Sequence, residues 1–117
     1  MKRHFPGDVI SEPSATVDEI ISRLRAAEAL HRRQAVTFGE VRTALVERPR
    51  HFLLYKHPIH RFKDRLFRAD TTDLLSFIQN EFSSERMEGV DIIVTDEPMS
   101  RFVVGNHDGD LFLIRND

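Results

Sequence analysis

The chain has 117 residues, 40% of them hydrophobic and 31% charged, with nine Phe, no Trp, no Cys and a formal net charge of −2. That length suits one domain built on a single hydrophobic core, and the apolar share sets it apart from disordered tails. Without cysteine there is no disulfide framework, thiolate zinc site or Cys nucleophile, and a reducing cytoplasm is the expected location.

The opening MKRHFPGDV is basic but has no apolar stretch behind it, so no signal peptide is expected. Uninterrupted apolar runs such as Phe52 to Tyr55 fall far short of the roughly 20 residues a spanning helix needs, and no membrane role is expected. Residues 1–15 carry Pro6, Gly7 and Pro13 without periodicity and read as an extended arm. Thr16 and Glu19 then have capping-box spacing, in which each side chain satisfies an amide the first helical turn leaves unpaired. Val17, Ile20, Ile21, Leu24 and Ala27, with His31 at the end of the stripe, predict an amphipathic helix over 17–33.

The same capping signal recurs at Thr37 and Glu40, opening a shorter helix that buries Val41, Ala44 and Leu45 and stops before Pro49. Two helices with a short connection predict an antiparallel helical hairpin over 16–48. HFLLYK, residues 51–56, is a compact apolar run bounded by prolines and reads as a buried strand. Ile59, Phe62, Leu66 and Phe67 have the spacing of a helical stripe, while Arg65 to Ala69 equally reads as a short strand; the strand, paired with HFLLYK, is the favoured expectation. Thr71 is expected to cap a helix that buries Leu74, Leu75, Ile78 and Phe82. From Val90 the apolar period drops to about two, and VDIIVT, RFVVGN and DLFLIR predict three strands in an antiparallel meander. The predicted fold is α+β: two N-terminal helices, then β-β-α-β-β-β, with a mainly antiparallel sheet covered on one face by helices. Residues 51–117 form the sheet with its one helix, and 1–117 is a single domain.

GNHDGD, residues 105–110, begins with the letters of a calcineurin-type metallophosphatase motif. That chemistry needs two metals held by an Asp-x-His and a Gly-Asp-x-x-Asp-Arg block, and neither occurs here. Asp108-Gly109 between two apolar runs is instead a hairpin signal, read as a two-residue type I′ turn with positive φ at both residues. Asn106, His107 and Asp110 then sit at the strand ends. A metal set of His107, Asp108 and Asp110 with His57 and His60 has suitable donor types but unspecific spacing, and no metal or cofactor is expected.

An enzyme reading is the alternative: a metal- or histidine-dependent phosphodiesterase with His57 or His60 as base, His107 as acid, and Lys56, Arg61 or Lys63 facing phosphate. Nothing local marks a nucleophile or a Gly-rich phosphate loop, so the residues favour binding over catalysis. A nucleic-acid surface over Arg42 to Arg68 would use Phe52, Tyr55, Phe62 and Phe67 for stacking, but the most apolar run of the chain is better spent on the core, and a pI of 6.3 lacks the basic footprint.

RLFRADTTDLLSFIQNEF and GVDIIVTDEPMSRFVVGNHDGDLFLI make a strand and helix followed by a meander with an Asn-His-Asp corner. They resemble small bacterial α+β immunity proteins, including the SMI1/KNR4-like group, that neutralise secreted toxins. The likeness spans roughly residues 51 to 115, with Asn106, His107 and Asp108 as matching positions, and implies a binding protein without a catalytic set. The charge distribution agrees with a basic toxin as partner: residues 42–68 hold eight Lys/Arg and two Asp/Glu, and residues 69–117 hold three and eleven. Segments so opposed are expected to cancel locally where they pack side by side. Asp91, Asp96, Glu97, Asn106, His107, Asp108 and Asp110 are the candidate partner-binding residues. The last strand, DLFLIR, is expected to be an open sheet edge on which a homodimer could form.

Overall fold

The structure is a computed structural model that describes residues 6–55, 65–82 and 91–115. In chain order its elements are β1 (Asp8–Val9), α1 (Ser14–Leu30), β2 (Gln34–Ala35), α2 (Phe38–Leu45), β3 (Arg50–Tyr55), β4 (Arg65–Asp70), α3 (Thr71–Glu81), β5 (Ile92–Asp96), β6 (Arg101–Gly105) and β7 (Leu111–Arg115). All seven strands join one sheet in the order β1-β4-β3-β5-β6-β7-β2, and every pairing is antiparallel. The fold is therefore α+β, with the expected β3–β4 pair and the expected β5–β6–β7 meander.

Two short strands were not expected. β1 lies in the N-terminal arm and pairs Asp8 and Val9 with Arg68 and Phe67, while the amide of Ile10 donates to the Leu66 carbonyl. The arm can approach this closely because Gly7 has φ +73 and no Cβ, where a methyl group would run into the backbone of Arg68 and Ala69. At the other side β2 pairs Gln34 and Ala35 with Leu113 and Phe112. DLFLIR is thus an interior strand, and the sheet edges are the two-residue strands β1 and β2. Edges this short offer little backbone to a second copy, which removes the basis for a homodimer built on β7.

The helices cover both faces of the sheet, which corrects the expectation of one covered face. α1 supplies Ile20, Leu24 and Ala27 to a cluster with Leu54, Leu66, Met99, Phe102 and Ile114. On the opposite face Val41, Ala44 and Leu45 of α2 join Leu74, Phe77 and Ile78 of α3 over Leu53, Phe67, Val94, Val103 and Leu113. Neighbours along a strand point to opposite faces, so Leu53 and Leu54, or Phe102 and Val103, serve different clusters. Consecutive apolar residues in β3, β5, β6 and β7 are what two covered faces require. α1 and α2 therefore form no helical hairpin, because the sheet lies between their buried stripes.

The helix ends follow local chemistry. At α2 the capping box is present: Thr37 Oγ1 accepts from the Glu40 amide at 3.2 Å, and Glu40 Oε1 accepts from the Thr37 amide at 3.1 Å. α1 starts at Ser14, so Thr16 lies inside the helix; Pro13, with φ −79, is already preset for a helical start. His31 is the exposed residue at its C-terminal end. At α3 the N-cap is Asp70, and the Thr71 hydroxyl donates instead to the Arg48 carbonyl.

Candidate functional site

The β6–β7 connection reverses the chain at GNHDGD, but by a three-residue loop. The Asn106 amide donates to the Asp110 carbonyl at 3.1 Å, and the Gly109 amide donates to the Asn106 carbonyl at 3.1 Å. Gly109 has φ +87, whereas Asp108 is not among the positive-φ residues, so the type I′ expectation is corrected to a turn closed by a left-handed glycine. The cause is Asn106, whose Oδ1 accepts from the amides of Asp108 and Asp110, both at 3.0 Å. That side chain is spent on shaping the loop.

Pairing of Ile92 with Gly105 sets Asp91 beside the loop. Asp91 Oδ1 accepts from the His107 amide at 3.2 Å and lies 3.3 Å from His107 Nδ1. On the other side of the ring, Nε2 is 3.8 Å from Asp108 Oδ1. The hydrogen bond to Asp91, followed by the charges of Asp108 and Asp91, raises the His107 pKa above its ordinary value. Asp110 is exposed and takes a 3.4 Å hydrogen bond from Asn106 Nδ2. Five of the seven candidate residues, Asp91, Asn106, His107, Asp108 and Asp110, thus share one corner. Among the described residues, the ionic contacts of Asp91 and Asp108 are with the His107 imidazole.

Asp96 and Glu97 stand at the other end of β5, about 16 Å from Asp91 along an extended chain. Asp96 is fully buried, so it is withdrawn as a partner-binding residue. Burial works against its ionisation, but the Ser100 hydroxyl and the amides of Ser100 and Arg101 outweigh it and hold its pKa below the usual carboxylate value. Arg48 Nε lies 3.4 Å from the same carboxylate. Glu97 is exposed and ion-paired with Arg68 at 2.6 Å. With Arg50–Asp70 at 3.6 Å, three arginines of the basic middle, Arg48, Arg50 and Arg68, meet acidic residues of the C-terminal part here, while Arg101–Glu47 at 2.7 Å pairs the two parts the other way round.

Sequence reasoning missed His51 in this region. It has no exposed surface and faces Asp96 across the β3–β5 pair. Because the Thr71 hydroxyl gives its one proton to the Arg48 carbonyl, its oxygen must accept from His51 Nδ1, 3.0 Å away. The neutral imidazole therefore carries its proton on Nδ1, and Nε2 is buried without a hydrogen-bond partner among the described residues. Burial lowers the His51 pKa to about 4; Asp96 opposes the shift, and Arg101 and Arg48 reinforce it. A histidine opening the most apolar run of the chain was the available signal.

His57 and His60, with Lys56, Arg61 and Lys63, lie outside the described residues. Among the described residues no three His, Cys, Asp or Glu side chains converge in a way that could hold a metal ion. No helix among them is long and apolar enough to cross a membrane. No protein-family model matches the sequence, and no curated protein or solved structure matches it either. What the corner can do chemically is present negative charge: Asp108 and Asp110 on a short loop and Asp91 beside it, with one imidazole whose protonation adjusts the total.

Proposed function

We propose that the protein is a non-catalytic protein-binding domain of the immunity-protein kind, whose acidic corner engages a basic surface on a toxin. The observation that carries this reading is the gathering of Asp91 and Asp108 around His107, with Asp110 on the same loop, where among the described residues no buried ion pair uses their charge. Carboxylates fixed on a hairpin lose little conformational freedom on binding, and a shared sign of charge steers an oppositely charged partner toward the corner. Such steering acts mainly on the association rate and weakens as salt rises. The likeness of residues 51–115 to immunity proteins supports a toxin as the partner class, and the protein's place beside its partner would be in the cytoplasm.

The test is affinity capture from cells that make the protein, with the wild-type chain and with a variant carrying Asp91→Asn, Asp108→Asn and Asp110→Asn together. The reading expects a basic protein retained by the wild type and lost both from the variant and at high salt. A partner held equally by the two baits, or one that is acidic, contradicts it.

A further inference from the structure

Beside the acidic corner lies a cleft of ≈ 240 Å³ between the start of α2, the end of α3 and the hairpin. Its walls include Val36, Phe38, Phe82, Leu111 and Phe112, and Asp110 stands at its lip. Val36, Phe38 and Phe82 are half-buried and pack on the core below. Phe82 can form a wall here because Gly105 on β6 has no Cβ; a methyl group there would strike the phenyl ring. Building on the binding role proposed above, we infer that this cleft seats one apolar side chain of the basic partner, so that the recognised segment carries Lys or Arg next to a Leu-sized residue.

Three features fix that occupant. The volume is below the roughly 300–1,000 Å³ of small-molecule pockets, which suits a single side chain. Several hydrogen-bonding groups around it are engaged within the protein: the Val36 amide donates to the Leu111 carbonyl, the Thr37 amide and hydroxyl are held in the capping box, and the Asp110 amide donates to Asn106 Oδ1. A polar group entering the cleft would lose water and gain little, whereas an apolar one gains burial. Finally, Asp110 belongs to both the cleft and the acidic corner, so a chain that places its apolar residue in the cleft sets its residues on the hairpin side against carboxylates. Arg33, whose guanidinium lies 5.1 Å from the Phe112 ring centroid, is ion-paired with Glu28 at 3.1 Å and does not offset that charge freely.

The test titrates the full isotope-labelled chain with three synthetic peptides, Lys-Lys-Leu-Lys-Lys, Lys-Lys-Ala-Lys-Lys and Glu-Glu-Leu-Glu-Glu, following backbone amide signals. The Leu-centred lysine peptide is expected to bind about tenfold more tightly than its Ala counterpart, given the extra apolar burial, and to shift Val36, Phe82 and Leu111. The Ala peptide should shift only Asp91 and residues 106–110. Val36→Phe, which thickens a wall of the cleft, should abolish the preference for Leu and leave the shifts at the corner. Equal affinities for the two lysine peptides, with the cleft signals unmoved, would overturn the inference while leaving the acidic corner as a binding surface. Absence of any shift at the corner, or equal binding of the glutamate peptide, would overturn both.

Discussion

His51 on β3 and Asp96 on β5 stand opposite each other in the sheet, and neither has any exposed surface. The imidazole is neutral there, and protonating it would place a cation close to Arg48 and Arg101 as well as to Asp96. Its pKa in the folded chain, about 4, lies below the ordinary 6.5, so the unfolded chain binds the extra proton between those values. The stability His51 contributes is complete above pH 6.5 and is lost as pH falls toward 4. Denaturant unfolding should show wild type losing about 2 kcal/mol between pH 7.5 and pH 5 relative to His51→Asn, which keeps a donor near the Nδ1 position. Parallel losses in the two proteins would mean that His51 titrates normally.

Gly7 is what lets the arm lie against β4. Gly7→Ala introduces a side chain at φ +73 and drives its Cβ into the backbone of Arg68 and Ala69. The variant should lose about 1–2 kcal/mol of stability. The Ile10 amide, which donates to the Leu66 carbonyl at 2.9 Å, should then exchange its hydrogen much faster. Unchanged protection of that amide would mean that the arm is held elsewhere.

Phe102 and Val103 are adjacent on β6 but serve opposite faces. Phe102→Ala should cost about 3–5 kcal/mol, because the residue is completely buried beneath α1. Its effect on hydrogen exchange should concentrate in α1. Val103→Ala should instead loosen α2 and α3. A variant that loosens all three helices equally would contradict the two-cluster arrangement.

Element type and strand pairing were legible wherever periodicity and turn chemistry agreed, as in the Thr37–Glu40 cap, the β3–β4 pair and the meander. β1 and β2 were hidden for a physical reason: two residues cannot display a period, and Asp8 and Gln34 are polar. The second covered face was present in the letters, since HFLLYK and DLFLI place apolar residues consecutively, as strands buried on both sides do. Reading DLFLIR with a period of two removed that information, and the short connection between the two helices gave the expectation of a helical hairpin. At the candidate site, the Asp-Gly turn was visible, but its loop length was not. Asn106 Oδ1 selects the longer loop through bonds to two amides, and nothing in the letters ranks that against a type I′ turn. The buried fate of Asp96 was equally hidden, because its partners Ser100 and Arg101 lie beyond a turn in which Met99 has φ 57.

His107 gives the corner a pH response. With its pKa raised by Asp91 and Asp108, the imidazole becomes cationic as pH falls through a value above 6.5 and offsets part of the negative charge. Attraction for a basic partner should therefore weaken toward acid pH. A proton NMR titration should place the His107 midpoint above 6.5 in the wild type and closer to 6.5 in Asp91→Asn, which loses the hydrogen-bonded carboxylate. A midpoint unaffected by Asp91→Asn would remove Asp91 as its cause.

The acidic corner as the binding surface is tested most directly by mapping amide shifts on the full chain as a ten-residue lysine peptide is added at low and at physiological salt. The account predicts shifts at Asp91 and from Asn106 to Asp110 that diminish as salt rises and vanish when Asp91, Asp108 and Asp110 are all changed to Asn. Shifts centred on α1 or β1, or a response that survives the triple substitution, would contradict it.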